Sequence, residues 1–246
     1  MRNSEKNNGC LYNLLYVRFN EDMGRDEFFS YNLQYPTLYN FKNTYFNVDP
    51  NLLNGLNSTL KEDVYTFKNG LAEEEKQANS SASQNALPKK HYRVVSSYAV
   101  TFNKNHILSN ILNLMGFPGE FGPIYNQINN YNFDLLTGNR IYLEDIFKPG
   151  VDYIKLVSDY VNYKVNQDKS LYYEDEPIEI PDDQAFYLTD DGIVIYFELD
   201  EIAPEEFGIP KFKISFEKFS QYINPRYYCS PDNVVSTRRK NRHTRR

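Results

Sequence analysis

Apolar positions recur on one helical face in the first third of the chain. Leu53, Leu56, Leu60, Val64, Phe67 and Leu71 lie three or four residues apart, the spacing that stacks side chains along one side of an α-helix. Asp49-Pro50 in front supplies an N-cap and a proline at the first helical position. The pattern predicts a helix from Pro50, with Glu73–Lys76 as a solvated turn and the Ser-, Ala- and Asn-rich stretch 79–87 as a loop. A second face, formed by Ile154, Val157, Val161 and Val165, predicts a helix from about Val151 to Val165.

The other patterned segments read as strands. His91–Phe102 and Ile107–Met115 flank the turn Asn103-Lys104-Asn105 and form a hairpin. The glycines and prolines of 116–123 predict a loop, and a strand resumes over Tyr125–Leu135. After the Thr137-Gly138 turn comes a short segment, Ile141–Phe147, and residues 168–183 are acidic loop. Ala185–Thr189 and Ile193–Leu199 flank Asp190-Asp191-Gly192, a hairpin signal in which Gly192 is expected to supply a positive φ. A last strand, Lys211–Phe216, leads into a short helix reaching Ile223. Phe28–Phe46 holds one or two strands broken at Tyr35-Pro36, because proline cannot donate to a ladder.

This order predicts an α+β fold of two sub-domains, each a mostly antiparallel sheet packed against a long helix. The expected divisions are an irregular segment 1–27 with a strand over Leu11–Phe19, a first module 28–125, a second module 126–223, and a disordered basic tail 224–246.

Composition adjusts the picture. The chain has 246 residues, with 22 Tyr, 17 Phe and no Trp. Tyr suits half-buried sheets and wet interfaces, but a chain also rich in Asn and Lys fits the coding bias of an AT-rich genome better. The net charge is −6. Six positive charges, Arg238, Arg239, Lys240, Arg242, Arg245 and Arg246, sit in the last ten residues, so the rest of the chain carries −12. An acidic body disfavours nucleic-acid binding, and no sequence-specific nucleic-acid partner is expected. The tail could hold polyanions through a salt-sensitive term.

Cys10 and Cys229 are too few for a disulfide framework, although they could pair if the termini meet. No apolar run approaches the roughly 20 residues of a membrane-spanning helix. The polar N-terminus lacks the marks of a signal peptide, which points to a cytoplasmic chain unless residues are missing upstream.

Several short motifs then occur in order: Tyr131-Asn-Phe-Asp-Leu-Leu-Thr-Gly138, Ile141-Tyr-Leu-Glu-Asp-Ile-Phe147, Phe186–Phe197 around Asp190-Asp191-Gly192, Glu201-Ile-Ala-Pro204, and Gly208. They resemble the second half of a paired domain-of-unknown-function module. That module is found in the extracytoplasmic part of the lysozyme-sensing anti-sigma factor RsiV and in the non-catalytic N-terminal part of the peptidoglycan deacetylase PdaC. Tyr35-Pro36, the helix carrying Asn54 and Asn57, and Val100–Ser109 resemble its first half more loosely. The resemblance spans about Tyr31–Ile223. It implies a binding module of bacterial cell-envelope type, acting outside the membrane, with peptidoglycan or a lysozyme-like protein as partner. A Gly-Gly-Ala-His-Gly-like loop of the family reads Pro118-Gly-Glu-Phe-Gly122 here, with Phe121 in place of the His.

Most motif residues also have turn or cap roles. Asp134 and Thr137-Gly138 close a strand, Asp145 caps a short helix, and Gly208 permits a turn. The remaining chemistry is a cluster of carboxylates. Glu198, Asp200, Glu201, Glu205 and Glu206 surround Ala203-Pro204, flanked by Tyr196, Phe197 and Phe207. As a contact surface for a basic partner, Tyr196, Glu198, Glu201, Glu205, Glu206 and Phe207 are the candidates. As an enzyme, the chain would need converging carboxylates such as Glu120 and Glu201, and a solvated acidic loop accounts for the cluster better. Asp182, Asp183, Asp190 and Asp191 lack calcium-loop spacing. His91, His106 and His243 have no ligand spacing with a cysteine. No catalytic residue, cofactor or metal is therefore expected.

Overall fold

The computed structural model describes residues 15–41, 47–85, 87–119, 123–173 and 177–228. Cys10, Cys229, Glu120, Phe121 and the six tail cations lie outside the described residues.

Strands β1 (Leu15–Arg25), β2 (Phe29–Asn40), β3 (Tyr92–Lys104), β4 (Ile107–Pro118) and β5 (Tyr125–Asp134) form one sheet in that order. All neighbours are antiparallel except β2 and β3, which run parallel because helix α1 (Pro50–Gln84) crosses between them. The apolar stripe of α1 covers one face, packing Leu53, Leu56, Leu60 and Val64 with Leu33, Val94, Leu108 and Leu112.

Three expectations change here. The strand expected over Leu11–Phe19 is present from Leu15, but it runs on to Arg25 where irregular chain was expected, and β1 pairs with β2 along its whole length. Its alternation is masked because it is an edge strand with Tyr16, Phe19 and Met23 exposed. Pro36 does not break β2, because β3 pairs with β2 only over Phe29–Leu33, and proline is tolerated where a strand is paired on one side. Beyond that point Asn57 replaces β3, accepting from the Leu38 N–H at 2.7 Å and donating to its carbonyl at 2.9 Å. Finally, α1 continues through most of the expected loop 79–87. Ser81 and Ser83 return their hydroxyls to carbonyls four residues back, and buried Asn79 makes two bonds to the Lys90 main chain.

The β3–β4 hairpin turns at Asn105-His106, both at positive φ, just past the expected centre at Lys104. Strand β4 runs on through Gly116, where a Cβ would come within 2.6 Å of Leu71 on α1.

The second sheet comprises β6 (Phe186–Thr189), β7 (Gly192–Tyr196) and β8 (Lys211–Ser215), antiparallel throughout. Helices α2 (Leu143–Ile146), α3 (Tyr153–Val165) and α4 (Phe216–Phe219) accompany it. Val157 and Val161 of α3 pack on Phe186, Leu188 and Ile193. Gly192 is not the positive-φ residue of the β6–β7 turn. It is the first residue of β7, and its need is space: a Cβ there would lie 2.3 Å from the Ile214 carbonyl oxygen.

The two modules interlock. Phe102 and Ile107, at the tip of the β3–β4 hairpin, belong to the second core with Phe186, Leu188, Phe212 and Phe216. A buried polar seam joins the sheets beside them. The Ser109 hydroxyl donates to Asn132 Oδ1 at 2.7 Å and accepts the Leu188 N–H at 3.1 Å. Asn130 and Asn132 both donate to the Phe186 carbonyl. A division between 125 and 126 therefore cuts β5 from the sheet that holds it.

The expected tail also begins too early. Arg226 pairs with Asp134 at 2.7 Å, and Tyr227 is buried in the second core. The last described residue is Tyr228.

Candidate binding cleft at the junction of the two modules

Asn and Gln dominate β5, residue types that strands ordinarily disfavour. Here their side chains serve the junction. Asn130 and Asn132 reach across to β6, while Tyr131 points to the opposite face and donates to Asp63 on α1, with Asn129 also on that carboxylate at 3.3 Å. Burial, and then Asp63, push the Tyr131 hydroxyl well above the usual tyrosine range, so it stays a donor. Nearby, Glu74 accepts from both Tyr92 and Tyr125, and burial with Glu74 raises Tyr92 to about 12.

Where the second sheet turns away from β5, a cleft of about 920 Å³ opens. One wall is β5, every residue from Tyr125 to Tyr131, with Ile124 before it. The facing wall is the segment that follows β7, including Glu198, Asp200 and Glu205. Asp63 and Asp183 add two more carboxylates, and Arg140 is the cation among the lining residues. Tyr142, half exposed, and Tyr125 offer aromatic rings at its margin.

The expected contact residues divide. Glu198 and Glu205 line the cleft, and Asp200 joins them. Glu201 instead closes its own loop, its carboxylate accepting the Glu198 N–H at 2.6 Å. Glu206 and Phe207 are exposed but lie off the lining. Tyr196 also lines the cleft, though little of it is open to solvent. It is 4% exposed, and its hydroxyl donates to the Ile128 carbonyl at 2.9 Å, within 3.1 Å of Asn130 Oδ1. Burial raises its hydroxyl above the ordinary range. It ties the β7 side of the cleft to the edge of β5. Asp200, held at positive φ, accepts from Tyr173, which fixes that loop.

The motif residues take structural places. Asp134 accepts the Leu136 N–H, Gly138 adopts φ +78°, Asp145 accepts the Tyr142 N–H, and Gly208 adopts φ +74°. Asp190 pairs with Lys104 and Asp191 with Lys213. Among the described residues no group of three His, Cys, Asp or Glu side chains could hold a metal ion. No helix among them is long and apolar enough to cross a membrane.

Comparison with known proteins assigns the two modules. A family model described as deacetylase PdaC matches residues 24–120, and one described as a protein of unknown function, DUF3298, matches residues 144–217. The chain resembles the paired PdaC and DUF3298 module. Two solved structures share the α+β fold. A DUF3298-family member from Bacteroides fragilis superposes with a TM-score of 0.62 at 16% identity, over 89% of this chain and 96% of that one. A DUF3298-family protein from Pseudomonas aeruginosa gives 0.51 at 13% identity, over 88% and 96%. No curated protein matches the chain. The two family matches end and begin at Glu120 and Glu144, so β5 and much of the cleft wall fall in the segment between them.

Proposed function

We propose that this chain is a non-catalytic binding module of bacterial cell-envelope type, and that its junction cleft receives a wall glycan or a wall-acting basic protein such as lysozyme. The observation that carries the reading is the cleft itself. It lies between two modules, where ligand sites commonly form, and it sets amides, aromatic rings and five carboxylates against a single arginine. Amides and rings suit sugar hydroxyls and ring faces, and the excess of carboxylates favours a cationic partner.

The non-catalytic part rests on what two of those carboxylates, and the neighbouring Glu201, already do. Asp63 is committed to Tyr131 and Asn129, and Asp200 to Tyr173. Glu201, which an enzyme reading would have needed beside Glu120, is committed to its own loop. A general acid or base needs a proton and a site free for substrate.

Titration of the purified chain with lysozyme and with soluble peptidoglycan fragments tests the reading. Saturable binding to one of them is expected, weakened in Glu198→Gln/Glu205→Gln. Binding to neither sinks the proposal. Incubation with muropeptides should leave their chromatogram unchanged, and new product peaks would overturn the non-catalytic reading. The proposal also puts the chain outside the membrane, so recovery from the cytoplasmic fraction alone of its native host would count against it.

A further inference from the structure

Seven consecutive residues of β5, Tyr125–Tyr131, line the cleft, with Ile124 just before them. Side chains of a strand alternate between faces, so an unbroken run means that the strand presents its edge. β5 is the last strand of its sheet. At its far end the outward groups are paired: the Asn132 carbonyl accepts the Ile141 N–H at 2.9 Å, and the Asp134 N–H donates to Asn139 at 2.9 Å. A period of two then directs the main chain of Asn126, Ile128 and Asn130 outward as well. There the Ile128 carbonyl accepts the Tyr196 hydroxyl, and no main-chain partner lies beside these three among the described residues. Residues 139–141 thus begin an added strand that stops where the cleft opens.

From this edge we infer that the cleft binds an extended, lysine- or arginine-bearing segment of a partner protein, which pairs with β5 and continues the sheet. This rests on the reading of the cleft as the binding site and names the ligand class. A strand laid beside β5 would direct alternate side chains to the two walls. Asp63 stands on the α1 side, and Glu198, Asp200 and Glu205 stand on the β7 side, so both rows meet carboxylates. Gln184 gives an independent sign that a donor is wanted. It is 6% exposed and lines the cleft; its amide nitrogen donates to the Tyr196 carbonyl, and its oxygen has no protein partner. A buried acceptor left unpaired is costly, and an ammonium or guanidinium group would satisfy it. The acidic wall also explains how an open edge escapes self-pairing: a second copy of an acidic chain is repelled, and a basic strand is drawn in.

The test uses the full chain and labelled, end-blocked hexapeptides that alternate lysine or arginine with valine. Fluorescence anisotropy at low salt should show saturable binding, weakened by salt and by Glu198→Gln/Asp200→Asn/Glu205→Gln. N-methylation of the peptide nitrogens facing β5 removes donors and keeps charge, and it should weaken binding by about tenfold or more, the loss expected for one or two main-chain bonds. Hydrogen exchange at Asn126, Ile128 and Asn130 should slow on binding. Equal affinity for the methylated peptide, unchanged exchange at those amides, or tighter binding of glucosamine oligomers than of any peptide would overturn the inference. So would failure of every peptide to bind. Peptide binding by the edge without lysozyme or peptidoglycan binding would leave this inference standing while the wall-directed reading fell.

Discussion

The two ends of β5 share one composition and meet opposite fates. At the Asn130–Asp134 end, amide side chains are consumed by the second module, and Asn139–Ile141 close the main-chain edge at Asn132 and Asp134. At the Tyr125–Asn129 end, the same kind of residue faces a cleft. The strand does not decide which part is structural. The distance of the second sheet does, and it is set by the hairpin tip that Phe102 and Ile107 drive into the second core. Stability should therefore concentrate at one end of β5, and ligand sensitivity at the other.

The sharpest way to break this contrast is at the tip. Phe102 is 1% exposed, and Phe102→Ala should cost about 3–5 kcal/mol, the range for truncating a buried phenylalanine. Denaturant unfolding measures it. A loss below about 1 kcal/mol, within what a surface change produces, would show that the tip is not the joint. Next comes the polar seam. Asn132→Ala leaves the Phe186 carbonyl and the Ser109 hydroxyl short of a partner and should cost roughly 1–3 kcal/mol.

A smaller effect belongs to Arg226 and Asp134. Burial raises the Asp134 carboxyl, but Arg226 and the Leu136 N–H outweigh it and hold it below the ordinary value. A depressed carboxylate adds stability above its unfolded value, about 3.9, and that share is lost as pH falls through the folded value. Melting of Arg226→Gln should fall below wild type near neutrality, and the two should converge in acid. A gap that persists unchanged at low pH would place the effect elsewhere. The smallest effect is expected at the open end: Glu198→Gln/Glu205→Gln should shift stability by less than about 0.5 kcal/mol while changing ligand binding.

How much of this was legible in the sequence varies by element. The helix faces were, because α1 and α3 each bury one stripe and leave the other wet. The hairpins were too, although the turn residues themselves fall slightly differently, at Asn105-His106 and before Gly192. β1 was obscured because an edge strand buries neither face completely. The end of α1 was obscured because Asn79, Ser81 and Ser83 have loop-like identities and helix-compatible bonds. The acidic loop was legible as chemistry, but its opposite wall was not, since β5 is brought to it by contacts more than 50 residues apart. That Tyr196 is nearly buried was not legible, because its neighbours are exposed acids while its own strand is buried. One signal was present: an amide-rich run, Asn126–Asn132, in a segment that otherwise reads as strand. Such residues in a strand need partners outside the ladder.

The shared core also orders events at the ribosome. The hairpin tip emerges well before its cover, which is spread over residues 141–227. At a synthesis rate of about 5–20 residues per second, more than a hundred residues separate Ile107 from Ile214, so the tip stays bare for roughly 5–20 s. The first sheet can close around α1 in that interval, but its most apolar corner must wait. A nascent chain stalled before Phe186 should therefore expose a sticky knob that the finished protein never shows, and a chaperone or translocation partner would meet the chain at that point.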